Sequence, residues 1–130
     1  MRALVTGGGG FLGTRLVEVL EEEGLEVRLL GRSLPNQKIG TREFVQGDIL
    51  DPASLARGLE GCDLVFHSAG LVSYDPAKAD LMQKTNVVGT KNVAEAALAA
   101  GVKRLIYTSS TAAIGVNYDP KKLLSETSAF

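Results

Sequence analysis

The stretch Thr6-Gly7-Gly8-Gly9-Gly10-Phe11-Leu12-Gly13 restricts its own chemistry more than any other in the chain. Residues without a Cβ let the backbone turn tightly and approach a ligand closely, and a helix starting inside the run offers unpaired amides at its positive dipole end. Such a turn suits an anion, and between a strand and a helix it suits the pyrophosphate of a dinucleotide, with Gly7, Gly10, Phe11, Leu12 and Gly13 as the contact segment. The glycines fit Gly7-x-x-Gly10-x-x-Gly13 and Gly8-x-Gly10-x-x-Gly13 equally, so their spacing does not choose a subfamily. Gly13 would let the helix lie close to the sheet.

Three further groups extend this reading. Where an acidic residue would accept from the ribose hydroxyls of NAD, the sequence has Gly31-Arg32-Ser33, and Arg32 suits a 2′-phosphate. A guanidinium pairs bidentately with phosphate and stacks on adenine, so NADP is expected, with NAD as the alternative. In Gly47-Asp48-Ile49, Asp48 either accepts from the adenine amino group, with Ile49 against the ring, or caps a turn. His67 reads as a packed residue, because no cluster of Cys, His or carboxylates accompanies it; no metal is expected. Thr108-Ser109-Ser110-Thr111 by itself is only a polar strand end.

The elements that must position these groups alternate. Strands are predicted over Ala3 to Thr6, Glu26 to Leu30, Glu43 to Gln46, Leu64 to Phe66 and Arg104 to Thr108. Leu12, Leu16, Val19 and Leu20 recur at helical spacing opposite Arg15, Glu18, Glu21 and Glu22, with Gly24 as C-cap. Asp51-Pro52 signals a short helix reaching about Glu60, and Ala79 to Ala100 reads as one long helix closed by Gly101. Pro35, Asn36 and Gly40 mark a loop, and from Ile114 to the end the periodicity fades into loop. The expected fold is α/β: a Rossmann-type doubly wound parallel sheet of about five strands with helices on both faces, its pattern broken off after the fifth.

Length and composition agree with one incomplete nucleotide-binding domain over 1–130. The chain has 130 residues, 45% hydrophobic and 22% charged, within the ordinary globular range. A formal net charge of -1 argues against a nucleic-acid partner. Cys62 is alone, so no internal disulfide forms, and it reads as a small buried residue. The absence of a signal peptide or a membrane-length apolar run makes a cytoplasmic protein the expectation.

Together these residues resemble the extended short-chain dehydrogenase/reductase family, within the NAD-dependent epimerase/dehydratase superfamily, and there the group of dihydroflavonol reductases and 3β-hydroxysteroid dehydrogenases. Thr6-Gly7-x-x-Gly10-Phe11-Leu12-Gly13 looks like the family's cofactor turn, and Gly47-Asp48-Ile49 like its adenine clamp. His67-Ser68-Ala69-Gly70 resembles the segment along the cofactor ribose. Asn86, in Asn86-Val87-Val88-Gly89-Thr90, matches an Asn in the middle of a long helix. The run from Gly101 to Ser110 is similar to the strand that delivers the catalytic Ser, which puts Ser110 in the catalytic position and Ser109 beside it on the cofactor side.

The resemblance implies hydride transfer between NADP(H) and a carbonyl or alcohol of unidentified structure. A Ser hydroxyl would position the substrate oxygen, a Tyr phenol would pass the proton, and a Lys four residues later would lower the phenol pKa. Tyr118-Asp119-Pro120-Lys121-Lys122 spells Tyr-x-x-x-Lys, but only eight residues after Ser110, and Pro120 is unsuited to a helix interior. It reads as a decoy, with the true pair expected beyond Phe130. A sugar-nucleotide epimerase or dehydratase front and a non-catalytic dinucleotide module are the other readings. If these residues were the whole protein, the fifth strand would lack an outer neighbour, so association with a second copy through that edge, or poor solubility, is expected.

Overall fold

The computed structural model describes residues 1–34, 42–115, 119, 121, 123–125, 127 and 128. Five strands, β1 (Arg2–Thr6), β2 (Glu26–Gly31), β3 (Glu43–Gln46), β4 (Leu64–His67) and β5 (Arg104–Tyr107), form one sheet in the order β3-β2-β1-β4-β5. All pairings are parallel: Val5 faces Leu29 on one side and Phe66 on the other. Ala3, Leu4 and Val5 are fully buried, because a central parallel strand is covered on both faces and has no polar side to show water.

Helix α1 (Phe11–Glu22) covers one face, where Val17 and Leu20 pack with Val5, Val27 and Leu29. Helices α2 (Pro52–Leu59) and α4 (Thr90–Ala99) cover the other, where Leu55, Leu59, Val93 and Ala97 meet Leu4, Leu30 and Val65. This is the doubly wound arrangement expected of the alternating pattern. The buried stripe of α1 differs from the expected one: Gly13, Val17 and Leu20 face the sheet, whereas Leu12 and Val19 are exposed. Helical spacing alone does not fix which edge of an apolar stripe meets the core.

The helix boundaries follow local chemistry. Gly24, at φ 78°, lets Gly24 N–H reach Glu21 O and Leu25 N–H reach Leu20 O, closing α1. The Asp51 carboxylate accepts from Ala53 N–H at 3.0 Å, with Pro52 in the first turn of α2. Arg28, buried in β2, donates to the last carbonyls of that helix, Gly58 O at 2.8 Å and Glu60 O at 2.7 Å, and to Glu43 at 2.8 Å. Those partners offset the desolvation of the guanidinium.

The long helix runs unbroken from Ala79 to Ala99, as expected, but its winding is not uniform. A 3₁₀ turn (Pro76–Lys78) leads into α3 (Ala79–Gln83), the winding loosens to a π-helix over Lys84–Gly89, and α4 follows. Apolar periodicity does not reveal a π turn, because the extra residue per turn is accommodated by tertiary contacts. After β5 a 3₁₀ turn, Thr111–Ile114, is the last regular element among the described residues.

Candidate functional site

A cleft of about 640 Å³ opens at the C-terminal ends of β1, β2 and β3. It lies beside the point where the chain, having wound from β1 to β2 and β3, returns to place β4 on the other side of β1. Ligands of open α/β sheets bind at such a switch point, because the loops there diverge and leave a crevice. Gly7, Gly8, Gly9 and Gly10 form one wall, Gly31–Leu34 and Gly47–Leu50 a second, and Ser68–Leu71 a third, with Leu81 of α3 and Thr85 of the π-helix also lining it.

The glycine turn is shaped for a group that comes close to the backbone. Gly7 adopts φ 75°, and a Cβ there would stand 2.6 Å from Ala69 N. Gly10 N–H donates to Gly7 O at 3.0 Å, and Gly10 then serves as the N-cap of α1 without any side-chain cap. No acidic residue occupies the first turn. The helix start therefore keeps unpaired amides and its positive dipole end for an anion. At Gly13 a Cβ would overlap the Gly7 carbonyl oxygen and lie 2.8 Å from Gly8 Cα, so α1 rests directly on the turn. These glycines fit a dinucleotide pyrophosphate: the cradle exists only where side chains do not.

On the side of β2 and β3, Arg32 lines the cleft, is exposed, and makes no ion pair among the described residues. Gln46 donates to its carbonyl at 3.3 Å. Asp48 lines the cleft as well, and one carboxylate oxygen, Oδ1, accepts from Leu50 N–H at 2.9 Å. The turn-capping role therefore holds for one oxygen. Ile49 is buried between the cleft and the helix, and a Cβ on Gly89 would come within 2.5 Å of its Cδ1.

The third wall is held from behind. Asn86, in the π-helix, accepts from Leu71 N–H at 2.8 Å and donates to Leu71 O at 2.7 Å. Its carboxamide is thus committed to the backbone at the end of Ser68–Leu71, and Asn86 does not line the cleft. Ser68 Oγ donates to Thr6 O at 2.9 Å, binding the same wall to β1. Beneath it, His67 is 1% exposed, with Nδ1 2.6 Å from Thr6 Oγ1 and Nε2 3.0 Å from Thr90 Oγ1. Tyr107 stacks on the ring at 5.3 Å. Burial pushes the imidazole down to about 4 from its usual 6.5. A neutral ring linking two hydroxyls is a structural tie, as a packed residue would be.

Of the residues read from the sequence, Gly7, Gly10, Arg32, Asp48, Ile49, Ser68, Ala69 and Gly70 converge on the cleft. Phe11, Leu12, Gly13, Asn86, Ser109 and Ser110 are not among the residues that line it. Phe11 is fully exposed on the first turn of α1, and Gly13 acts from beneath. Ser110 lies past the end of β5, where its Oγ accepts from Ala112 N–H at 3.2 Å and caps the 3₁₀ turn. Tyr118 and Lys122 lie outside the described residues. Leu34, Leu50, Leu71, Leu81 and Thr85 were missed by sequence reasoning: the first three continue segments already named but carry no chemical signal of their own, and Leu81 and Thr85 come from a separate helical element. No group of three His, Cys, Asp or Glu among the described residues could hold a metal ion, and no described helix is long and apolar enough to cross a membrane.

The sheet order, the glycine turn and the switch-point cleft define a Rossmann-type dinucleotide-binding protein. The model of the NAD-dependent epimerase/dehydratase family matches residues 3–130, and the chain belongs to that family. It is 39% identical over 135 residues to cinnamoyl-CoA reductase 1 of Petunia hybrida, covering 95% of this chain and 40% of that protein. With 3 beta-hydroxysteroid dehydrogenase type 7 of Rattus norvegicus it shares 37% identity, over 88% of this chain and 37% of that one. The solved UDP-glucose 4-epimerase of Thermus thermophilus, in complex with NAD, superposes with a TM-score of 0.82 at 30% identity, covering 98% of this chain and 43% of that chain. The chain therefore spans about two fifths of the length of these relatives and corresponds to their NAD(P)-binding N-terminal part.

Proposed function

We propose that this chain is the NADP(H)-holding front of a reductase of the dihydroflavonol reductase type, which transfers hydride between NADP(H) and a carbonyl or alcohol. The observation that carries the choice of cofactor is Arg32. It lines the cleft at the end of β2, free of any ion pair among the described residues, where a NAD-selective site would present a carboxylate. A 2′-phosphate there meets a guanidinium with no competing ion pair among the described residues. Gly7 to Gly13 hold the pyrophosphate, and Asp48 accepts from the adenine amino group while Ile49 supports the wall behind it. Ser68, Ala69 and Gly70 run along the nicotinamide-side ribose, with Asn86 fixing that segment through Leu71. The bound dinucleotide supplies the hydride; Ser110 positions the substrate oxygen, with Ser109 on the cofactor side, and a Tyr and Lys of the longer protein handle the proton.

The test is a comparison of NADPH and NADH affinities. The wild type binds NADPH at least about tenfold more tightly, and Arg32→Ala removes that advantage while leaving NADH binding in place, as loss of a charge-assisted phosphate contact requires. Loss of NADH binding alone would overturn the assignment. The second reading, a sugar-nucleotide epimerase front, is favoured by the likeness to a solved epimerase over 98% of the chain. Net oxidation of NADPH by the longer protein separates the two, because epimerases regenerate their cofactor. For the 130-residue chain on its own, self-association through the outer edge of β5, where Ile106 and Tyr107 are exposed, is the accompanying proposal. A stable monomer in sedimentation at high concentration would dismiss it.

A further inference from the structure

Ser54 lies in the first turn of α2 and is 1% exposed, with its side chain turned back toward the residues before the helix. Its Oγ accepts from Asp48 N–H at 3.0 Å, and its single proton is shared between Asp48 O and Asp51 O, both at 2.9 Å. Gly47 presses on it so closely that a Cβ at that position would stand 2.6 Å from Ser54 Cβ. The segment from Gly47 to Asp51 is therefore wound around one buried hydroxyl. Asp48, in this segment, has its amide and its carbonyl both tied to Ser54 and its Oδ1 tied to Leu50 N–H. Only Oδ2 is left without a partner among the described residues, on a residue that lines the cleft.

We propose that Ser54 is a positioning residue for purine specificity: its hydroxyl sets the Asp48 carboxylate so that the uncommitted oxygen meets the 6-amino group of adenine and rejects a purine bearing a 6-oxo group. The proposal rests on the reading of Asp48 as the adenine contact. A carboxylate accepts from an amino group but faces a carbonyl oxygen as acceptor against acceptor, so the discrimination comes from alignment and not from volume. Alignment is what a residue with both main-chain groups held can supply. Ser54 does not line the cleft and has no contact of its own to offer a ligand.

The experiment titrates the full chain with NADPH and with its deaminated analogue, the reduced nicotinamide hypoxanthine dinucleotide phosphate, and reads the ratio of affinities. The wild type favours adenine by about tenfold or more, in line with one good hydrogen bond to a charged group. In Ser54→Ala, the ratio falls close to one. A hydroxyl that merely held the fold together would weaken both ligands by the same factor, and an unchanged ratio in Ser54→Ala therefore overturns the proposal. Ser54→Cys, with similar volume and a poor hydrogen-bonding group, gives the same reading if the alanine variant does not fold. A wild type that fails to distinguish the two purines instead overturns the Asp48 contact itself.

Discussion

Replacing Gly13 with alanine separates the packing role of the glycine turn from its binding role. An alanine Cβ would overlap the Gly7 carbonyl oxygen and lie 2.8 Å from Gly7 C and from Gly8 Cα. All three neighbours are backbone, so no side chain can swing away; α1 must lift from the turn. Overpacking of this kind costs about 1 to 3 kcal/mol, and rigid neighbours place it near the upper end. The gain in helix propensity returns about 1 kcal/mol, leaving a net loss of about 2 kcal/mol. Gly10→Ala is the counterpart: its Cβ would meet only Gly7 O at 3.3 Å, and Gly10 has φ -82° and ψ 175°, which alanine adopts freely. Urea denaturation should move to a midpoint lower by about 1 M in Gly13→Ala and change little in Gly10→Ala. Dinucleotide titration should show at least about tenfold weaker binding in Gly10→Ala, because a methyl would stand where the proposed pyrophosphate position lies. An unchanged midpoint for Gly13→Ala would refute the argument that α1 rests on the turn.

Two further outcomes follow from the same cleft. Because His67 titrates near 4 in the folded chain and near 6.5 when unfolded, the unfolded state takes up a proton that the native state refuses. Stability is therefore intact above about 6.5 and falls as the pH drops toward 4, by about 3 kcal/mol in all. Denaturation midpoints of the wild type and His67→Asn across that window check it, and parallel pH slopes would contradict it. Asn86→Leu removes both hydrogen bonds to Leu71 at similar volume, which should cost about 2 kcal/mol of stability. On the proposal that the Ser68–Leu71 wall serves the nicotinamide side, its NADPH affinity should fall while that for adenosine 2′,5′-bisphosphate stays; equal losses would argue against that assignment.

Much of the site was legible because its chemistry is local. The glycines announce a backbone that must come close, Asp51-Pro52 announces a helix start, and Arg32 announces a charge where a carboxylate is usual. Each depends on neighbours within a few residues. Leu71, Leu81, Thr85 and Ser54 carried no such signal. Leu81, from α3, and Thr85, from the π-helix, line the cleft from an element far along the chain from its other walls, and Ser54 reads as an ordinary helix residue until its hydroxyl is found inside the turn at Asp48.

By itself, then, the sequence determined the alternation of strands and helices, the parallel sheet and the tight glycine turn, since these rest on periodicity and on the conformational freedom of glycine. The tertiary structure alone decided which edge of α1 is buried, that the helix after Ala79 loosens at Asn86, and that Asn86 acts on Leu71 instead of lining the cleft. It also decided that the Asp48 carboxylate serves the turn with one oxygen and keeps the other uncommitted among the described residues. The physical reasons differ: the buried edge of α1 is set by side chains of the sheet it meets, the role of Asn86 by a backbone amide and carbonyl brought to it from a separate element, and the division of the Asp48 carboxylate by the geometry of its own turn.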